Sequence, residues 1–473
     1  MLEESKYNMG KKDGDSAELG HVASQNQGTM ENQQSDAVFG EITEGGPNYR
    51  NVNWLGTVAI MMKICIGLGI LSIPSGFDIL GLIPGVICLL AIGAITTWSS
   101  YMVGVFKINH PQVYGLDDTG DILFGRIGRY VFGGAFCITY IFVAGSGMLG
   151  ISIGLNAVSE HGTCTAVFVA VAAIIAIGLS SIRTLGKIQW LAWIGIVCII
   201  ISVFILTVAV GIQDRPSAAP STGPWKSDYK LFGNPTFMEA ATALTTFVFA
   251  YAGTPAFFGV VAEMRDPREY TKALIVCQSI MTVLYLVIGI VVYYYCGTFV
   301  ASPALGSAGH MIKKICYGIS LPGLLITTTL CLHLPAKYIF VRALRDSKHL
   351  NSNSKTHWMV WIGCTFGTGL IAYIIASAIP IFGSLVSLIG ALCITFLAFH
   401  PMACMWLYDN WSRGKVEKSL RWKLMVVWCV LVLVIGTFLM ITGTWGSVVA
   451  IVDSYRTSGG SSAWSCADNS NST

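Results

Sequence analysis

Apolar residues fall along this chain in long runs, interrupted at intervals by short polar stretches. Runs of this length exceed what a soluble core helix needs, and about 20 apolar residues suffice to cross a bilayer as a helix. Eleven spans are predicted, at residues 55–76, 80–106, 128–156, 163–182, 190–212, 236–262, 271–297, 318–341, 358–379, 382–405 and 424–448. The least sharp boundary is Ile379-Pro380-Ile381-Phe382-Gly383, between the ninth and tenth runs. Two stretches do not follow the pattern. Residues 1–50 are polar throughout and read as a disordered tail, with no apolar segment that would make a signal peptide; residues 457–473 are rich in Ser and Asn and read the same way.

Composition narrows the function classes. Of 473 residues, 54% are hydrophobic and only 11% charged, less than half the charge that covers an average soluble surface, about 25%. A soluble enzyme, a disordered scaffold and a nucleic-acid binder are excluded; the partner of most of the surface is a lipid bilayer. The distribution of charge is more informative than its sum. With the N-terminus in the cytosol, 22 of the 29 Lys and Arg fall on the cytosolic side and 6 on the outer side, which predicts a cytosolic N-terminus and an outer C-terminus. The remaining one, Lys63, lies inside the first span. Most of the 14 Cys sit in apolar runs as small buried hydrophobes, no CxxC or Cys/His spacing points to a metal, and no cofactor is expected. Cys164, Cys296, Cys316 and Cys466 share the outer side, which leaves a bridge among them open.

Two spans carry Gly and Pro near their middle. The first reads Lys63-Ile-Cys-Ile-Gly67-Leu-Gly69-Ile-Leu-Ser72-Ile-Pro74, the sixth Phe249-Ala-Tyr251-Ala-Gly253-Thr254-Pro255. Unwound backbone at that depth is tolerated only where it lines a cavity or binds something polar. A single Gly-x-Gly more often serves close helix packing, but the breaks in spans 1 and 6 are offset by five spans, an odd number. A second five-span unit would then enter inverted, with the two breaks facing each other. The expected fold is all-α, a polytopic membrane protein of eleven transmembrane helices with a 5+5 inverted repeat: repeat 1 over 51–235, repeat 2 over 236–405, then a cytosolic loop and helix 11 over 406–456. Helix N-termini suit a carboxylate and unwound carbonyls suit an ammonium. A free amino acid needs both, so Gly67, Leu68, Gly69 and Ile70 are candidate donors, and Tyr251, Ala252, Gly253 and Thr254 candidate acceptors or neighbours.

The strings GLGILSIP (67–74) and FAYAGTPAFFGVVAEMRDP (249–267) resemble the amino acid/auxin permease family, within the larger group that shares the inverted-repeat fold of the bacterial leucine transporter. MMKICIGLGILSIP (61–74) is most similar to fungal neutral amino acid permeases of the N-system type. The resemblance spans residues 50–450 or so. It implies proton-driven uptake of neutral and aromatic amino acids at the plasma membrane, a substrate class and coupling ion that composition and spacing do not show. A sodium-coupled or vacuolar transporter of the same fold stays open.

Intramembrane polar residues complete the candidates. Lys63 lies four residues, about 6 Å of helix rise, from Gly67; it either replaces a bound cation and couples transport to protons, or snorkels to cytosolic headgroups. In the eighth span Thr327, Thr328 and Thr329 sit midway, the latter two taken with His333 as candidate coupling groups, against ordinary helix back-bonding. Glu263 is a candidate cytosolic gate, or a solvated cap. Tyr140 is a candidate partner of the substrate carboxylate, and Phe249, Tyr251 and Phe257 shape the pocket or pack the core. A channel would need rings of polar residues, and a membrane enzyme paired acids, a His cluster or an activated Ser; neither is expected.

Overall fold

The computed structural model describes residues 51–182, 185–220, 222–345, 347, 349–350, 354–379, 381–417, 419–457 and 464–470. The tail predicted over 1–50 lies outside the described residues. The chain is all-helical: α1 (Trp54–Cys65), α2 (Leu68–Leu80), α3 (Leu82–Asn109), α4 (Leu116–Ser159), α5 (Thr165–Ser180), α6 (Leu185–Ile212), α7 (Phe237–Ala250), α8 (Phe257–Ala262), α9 (Tyr270–Cys296), α10 (His310–Ala343), α11 (Lys355–Ala378), α12 (Phe382–Leu388), α13 (Thr395–Glu417) and α14 (Leu420–Thr457). Among the described residues nine helical segments are long and apolar enough to cross a membrane, and ten if the bent pair α1–α2 is one span. α5 is apolar but only 16 residues long, about 24 Å.

Predicted and observed boundaries agree within a few residues for most runs. α4, α10, α13 and α14 run well past the predicted spans at one end, so part of the stretch predicted as a cytosolic loop after 405 is helix, up to Glu417. α4 begins at Leu116 rather than near 128, and Gly125 interrupts it with φ +67° and ψ −156°. A left-handed φ suits Gly because it has no Cβ. The segment before that kink carries Asp117, Asp118 and Asp121, so it does not read as part of a span. The chain does break near Pro380: α11 ends at Ala378 and α12 starts at Phe382. The tenth run is then interrupted by a π-helical segment, Ile389–Ile394, a distortion often found at functional positions.

The two Gly/Pro-bearing runs form the middle of the bundle. The apolar window of α7–α8 is 89% buried, whereas that of α14 is 22% buried. α14 is therefore peripheral and turns most of its surface outward. The ends of the helices define two faces. One, the basic end, gathers Lys107, Glu263, Lys337, Arg342 and Arg345; the other holds the loops around 160, 215–235 and 300.

At that second end, part of the segment read as disordered is tied down. Cys466 is bridged to Cys164, while Cys296 and Cys316 are free and buried. Thr165 Oγ1 donates to the Ala467 carbonyl at 2.7 Å, Asn469 Nδ2 to Ser152 Oγ at 3.2 Å, and Lys313 Nζ to the Ser470 carbonyl at 2.5 Å. Residues 464–470 thus strap the ends of α4, α5, α10 and α11, the last through the Trp464 amide and the Ser377 carbonyl at 3.2 Å. Nearby, the hydrogen bond from Lys314 holds the exposed Glu160 carboxyl below its usual range.

Candidate functional site

α1 and α2 are two halves of one run, bent by 48° at Ile66-Gly67. Gly67 sits at φ −124° and ψ −83°, and the first N–H groups of α2 have no carbonyl one turn back. Close approach explains why Gly is needed here. A Cβ on Gly67 would lie 2.4 Å from Thr327 Oγ1 of α10, and one on Gly69 only 2.8 Å from the Ala250 Cα, a backbone atom that has no rotamer to move. The second break begins at that contact. α7 ends at Ala250, the chain turns through Tyr251, Ala252 and Gly253, and a 3-10 turn over Thr254–Ala256 leads into α8. Pro255 lacks the N–H that would continue an α-helix.

The structure therefore brings the two breaks together. Gly67, Leu68, Gly69, Ile70, Tyr140, Phe249, Tyr251, Ala252, Gly253 and Thr254 are all buried. Tyrosine hydroxyls reach the freed carbonyls. Tyr285 of α9 donates to Ala250 O at 2.7 Å and lies 3.3 Å from Cys65 O, so it touches both breaks. Tyr140 of α4 donates to Ala252 O at 3.2 Å. A carbonyl has two lone pairs, so each still has one for an ammonium. Tyr251 Oη pairs with Thr282 Oγ1 at 3.0 Å, and Thr254 Oγ1 with Ser100 Oγ at 2.9 Å. Phe249 lies against the π-helical segment, since a Cβ on Gly390 would come 3.1 Å from its Cβ. Phe257 packs on Gly253. Sequence reasoning missed Tyr285 and Ser100, and from the threonine run it took Thr328 and Thr329, not Thr327, as the coupling candidates. Tyr285 and Ser100 are ordinary members of apolar runs, and nothing in the local string sets them apart.

Lys63 is fully buried. Its Nζ lies 3.4 Å from the Gly195 carbonyl of α6, and a Cβ on Gly195 would fall 2.6 Å from Lys63 Cε, so Gly195 makes room for the side chain. The ammonium is held between helices and does not snorkel to an end. Of the three consecutive threonines, Thr327 faces the break. Thr328 faces Gly147 of α4, and Thr329 donates to Leu325 O at 2.8 Å. All three hydroxyls bond carbonyls one turn back on α10. His333 turns toward α5 and α11: Nδ1 is 3.4 Å from Ser180 O, and its ring sits 5.4 Å from that of Trp361.

At the basic end Glu263, just past α8, forms a buried ion pair with Lys337 of α10. A 30 Å³ cavity, room for one water, adjoins the pair and is lined also by Pro255, Ala256 and Tyr338. The backbone is tied here as well. Val52 N–H donates to Glu263 O at 3.2 Å and Arg265 N–H to Val52 O at 2.9 Å, so the residues before α1 are bridged to the end of α8. Gly150-Ile-Ser152-Ile-Gly154 has the spacing of a nucleophile elbow, but Ser152 lies inside α4 and donates to Leu149 O; no strand-to-helix turn presents it. Among the described residues no group of His, Cys, Asp and Glu is arranged to hold a metal ion.

Residues 50–449 match the transmembrane amino acid transporter protein family. The chain belongs to that family. It is a multi-pass membrane protein and an amino acid transporter, not an enzyme. A transmembrane transporter of Gibberella moniliformis is 35% identical over 92% of each chain. The N amino acid transport system protein of Neurospora crassa is 31% identical over 90% of this chain and 91% of its own. An amino acid transporter of Arabidopsis thaliana is 26% identical over 82% and 89%. Among solved structures, a nucleobase–cation symport family transporter with bound bromovinylhydantoin aligns with a TM-score of 0.57 at 13% identity, covering 87% of this chain and 94% of its own. MhsT, in complex with L-phenylalanine, aligns at 0.51 and 13%, covering 84% and 97%. At those identities the likeness concerns the fold alone.

Proposed function

We propose that this amino acid transporter imports neutral and aromatic L-amino acids by proton symport, through alternating access around the paired breaks. The observation that carries the reading is the abutment of Gly69 on Ala250. It sets the free amides of α2 beside the carbonyls of 250–252, a donor–acceptor pair spaced along one backbone contact, as a zwitterion requires. The neighbouring side chains, Ile70, Tyr140, Phe249 and Tyr251, are apolar or aromatic and bear no charge, which favours a neutral substrate side chain. Lys63, one turn from Gly67, supplies a titratable group where a bound cation would otherwise sit.

The wider architecture follows the same reading. α5 counts as a short eleventh span, and the bent runs α1–α2 and α7–α8 open two inverted five-span repeats. The basic end faces the cytosol and the Cys164–Cys466 bridge faces outward at the plasma membrane; disulfides persist in oxidising compartments, which supports the same orientation as the Lys and Arg count. In intact cells, Cys466→Ser is expected to expose the Cys164 thiol to an impermeant maleimide added outside, at least tenfold above the native chain. Labelling only after permeabilisation would reverse the orientation.

The central test is uptake of labelled amino acids into liposomes holding the full-length chain. An inward proton gradient without sodium is expected to drive saturable accumulation of phenylalanine and other neutral amino acids, and a protonophore to abolish it. Accumulation that needs sodium, or that prefers charged amino acids, would defeat the coupling or the substrate assignment respectively.

A further inference from the structure

A cleft of 640 Å³ opens at the basic end between the last turns of α3, the end of α13 and the start of α14, away from the paired breaks. Its walls are aromatic and apolar: Trp98, Tyr101, Met102, Trp406, Trp422 and Met425. Tryptophan and tyrosine concentrate where acyl chains meet headgroups, because each ring has an apolar body and a polar edge. α14 is a peripheral helix, so the cleft lies at the edge of the bundle.

The charges at its rim are unequal. Asp409 has both oxygens engaged, one by Asn109 Nδ2 at 2.9 Å and the other by His110 Nε2 at 2.9 Å. Trp422 Nε1 donates to Asn410 O at 3.1 Å, which fixes the ring that closes one side. A Cβ on Gly414 would collide with that ring, so the Gly lets α13 and α14 close around it. Arg421 at the rim is exposed and has no ion pair among the described residues; Lys415 and Lys423 are exposed on the same two helices. A guanidinium with no ion pair among the described residues, over an aromatic cleft, suits a ligand with an anionic oxygen head and an apolar body.

We propose that this cleft binds one anionic phospholipid, its phosphate on Arg421 and its acyl chains along Trp98, Met102 and Trp406. The guanidinium offers two parallel N–H donors to the phosphate oxygens. The apolar wall accounts for a lipid rather than a free phosphate. A competing occupant is the chain's own residues 1–50, which carry nine acidic residues against four basic ones.

The test uses the full chain purified from a mixed phosphatidylcholine–phosphatidylserine bilayer, with retained lipid identified by native mass spectrometry. One retained phosphatidylserine is expected, enriched about tenfold over phosphatidylcholine. Arg421→Gln is expected to bring the ratio near one, and Arg421→Lys to keep most of it. Raising the salt concentration on the native chain lowers the same ratio, a readout that needs no variant to fold. Equal retention of the two lipids, or an enrichment that Arg421→Gln leaves unchanged, overturns the proposal. Enrichment that appears only once residues 1–50 are deleted assigns the cleft to the acidic tail and overturns it equally.

Discussion

Lys63→Met is expected to abolish concentrative uptake while leaving amino acid exchange within about threefold of the native rate. The substitution keeps an unbranched apolar stem and removes the ammonium. Its site is closed on all sides, with Gly195 shaped around the stem and the Gly195 carbonyl 3.4 Å from Nζ. A charge buried in a membrane bundle is costly and is retained where it has work to do. If that work is to carry the coupling proton, its loss separates two rates that a structural role would keep together. A pH difference of about two units is worth about 2.7 kcal/mol per proton, enough for about 100-fold accumulation of substrate. Liposomes containing the variant are expected to equilibrate labelled phenylalanine to a ratio near one under that gradient. Exchange against unlabelled phenylalanine needs no net proton movement and continues. Accumulation near the native ratio would remove Lys63 from the coupling step. Parallel loss of both rates would make it a structural donor to α6.

How much of this was legible in the sequence varies with the physical range of the signal. Span positions depend on local hydropathy, and a bilayer imposes the same length on every run, so α3, α9 and α11 lie close to where the apolar runs put them. The two breaks were legible because Gly67-Leu68-Gly69 and Gly253-Thr254-Pro255 are local departures from helix-forming sequence. What meets at the breaks is a matter of helix rotation, which packing sets. Thr327, Thr328 and Thr329 are equivalent in the string, yet only the first faces Gly67. Tyr285 reaches Ala250 O from 35 residues away. The strap at 464–470 depends on partners 302 residues distant at Cys164, so Ser- and Asn-rich composition there reads as disorder.

Under the alternating access proposed above, the Glu263–Lys337 pair carries the second large effect, because it joins α10 to the end of α8 on the basic side. Glu263 follows α8, the second half of the broken sixth run, and Lys337 lies on α10. The Val52 bridge ties the residues before α1 to the end of α8, so the proposed opening toward the basic end would carry the halves of both broken runs together. Removing one partner of a buried ion pair costs about 3–5 kcal/mol, since the other charge stays desolvated. If the pair exists only while this end is closed, the cost falls on the closed state alone. Glu263→Gln then shifts the population toward the basic-end-open form by two or more decades, at about 1.4 kcal/mol per decade. Uptake from the opposite side is expected to fall at least tenfold, with the loss seen in the rate of entry and not in expression. Lys337→Gln should behave alike. The exchanged pair Glu263→Lys with Lys337→Glu restores the attraction in reverse and is expected to recover a substantial part of the rate, a coupling that a double-mutant cycle measures. Single variants with native uptake would show that the pair opens at no cost. A swap as impaired as the singles would show that the two side chains act through other neighbours, and the gate would have to be sought elsewhere along α8 and α10.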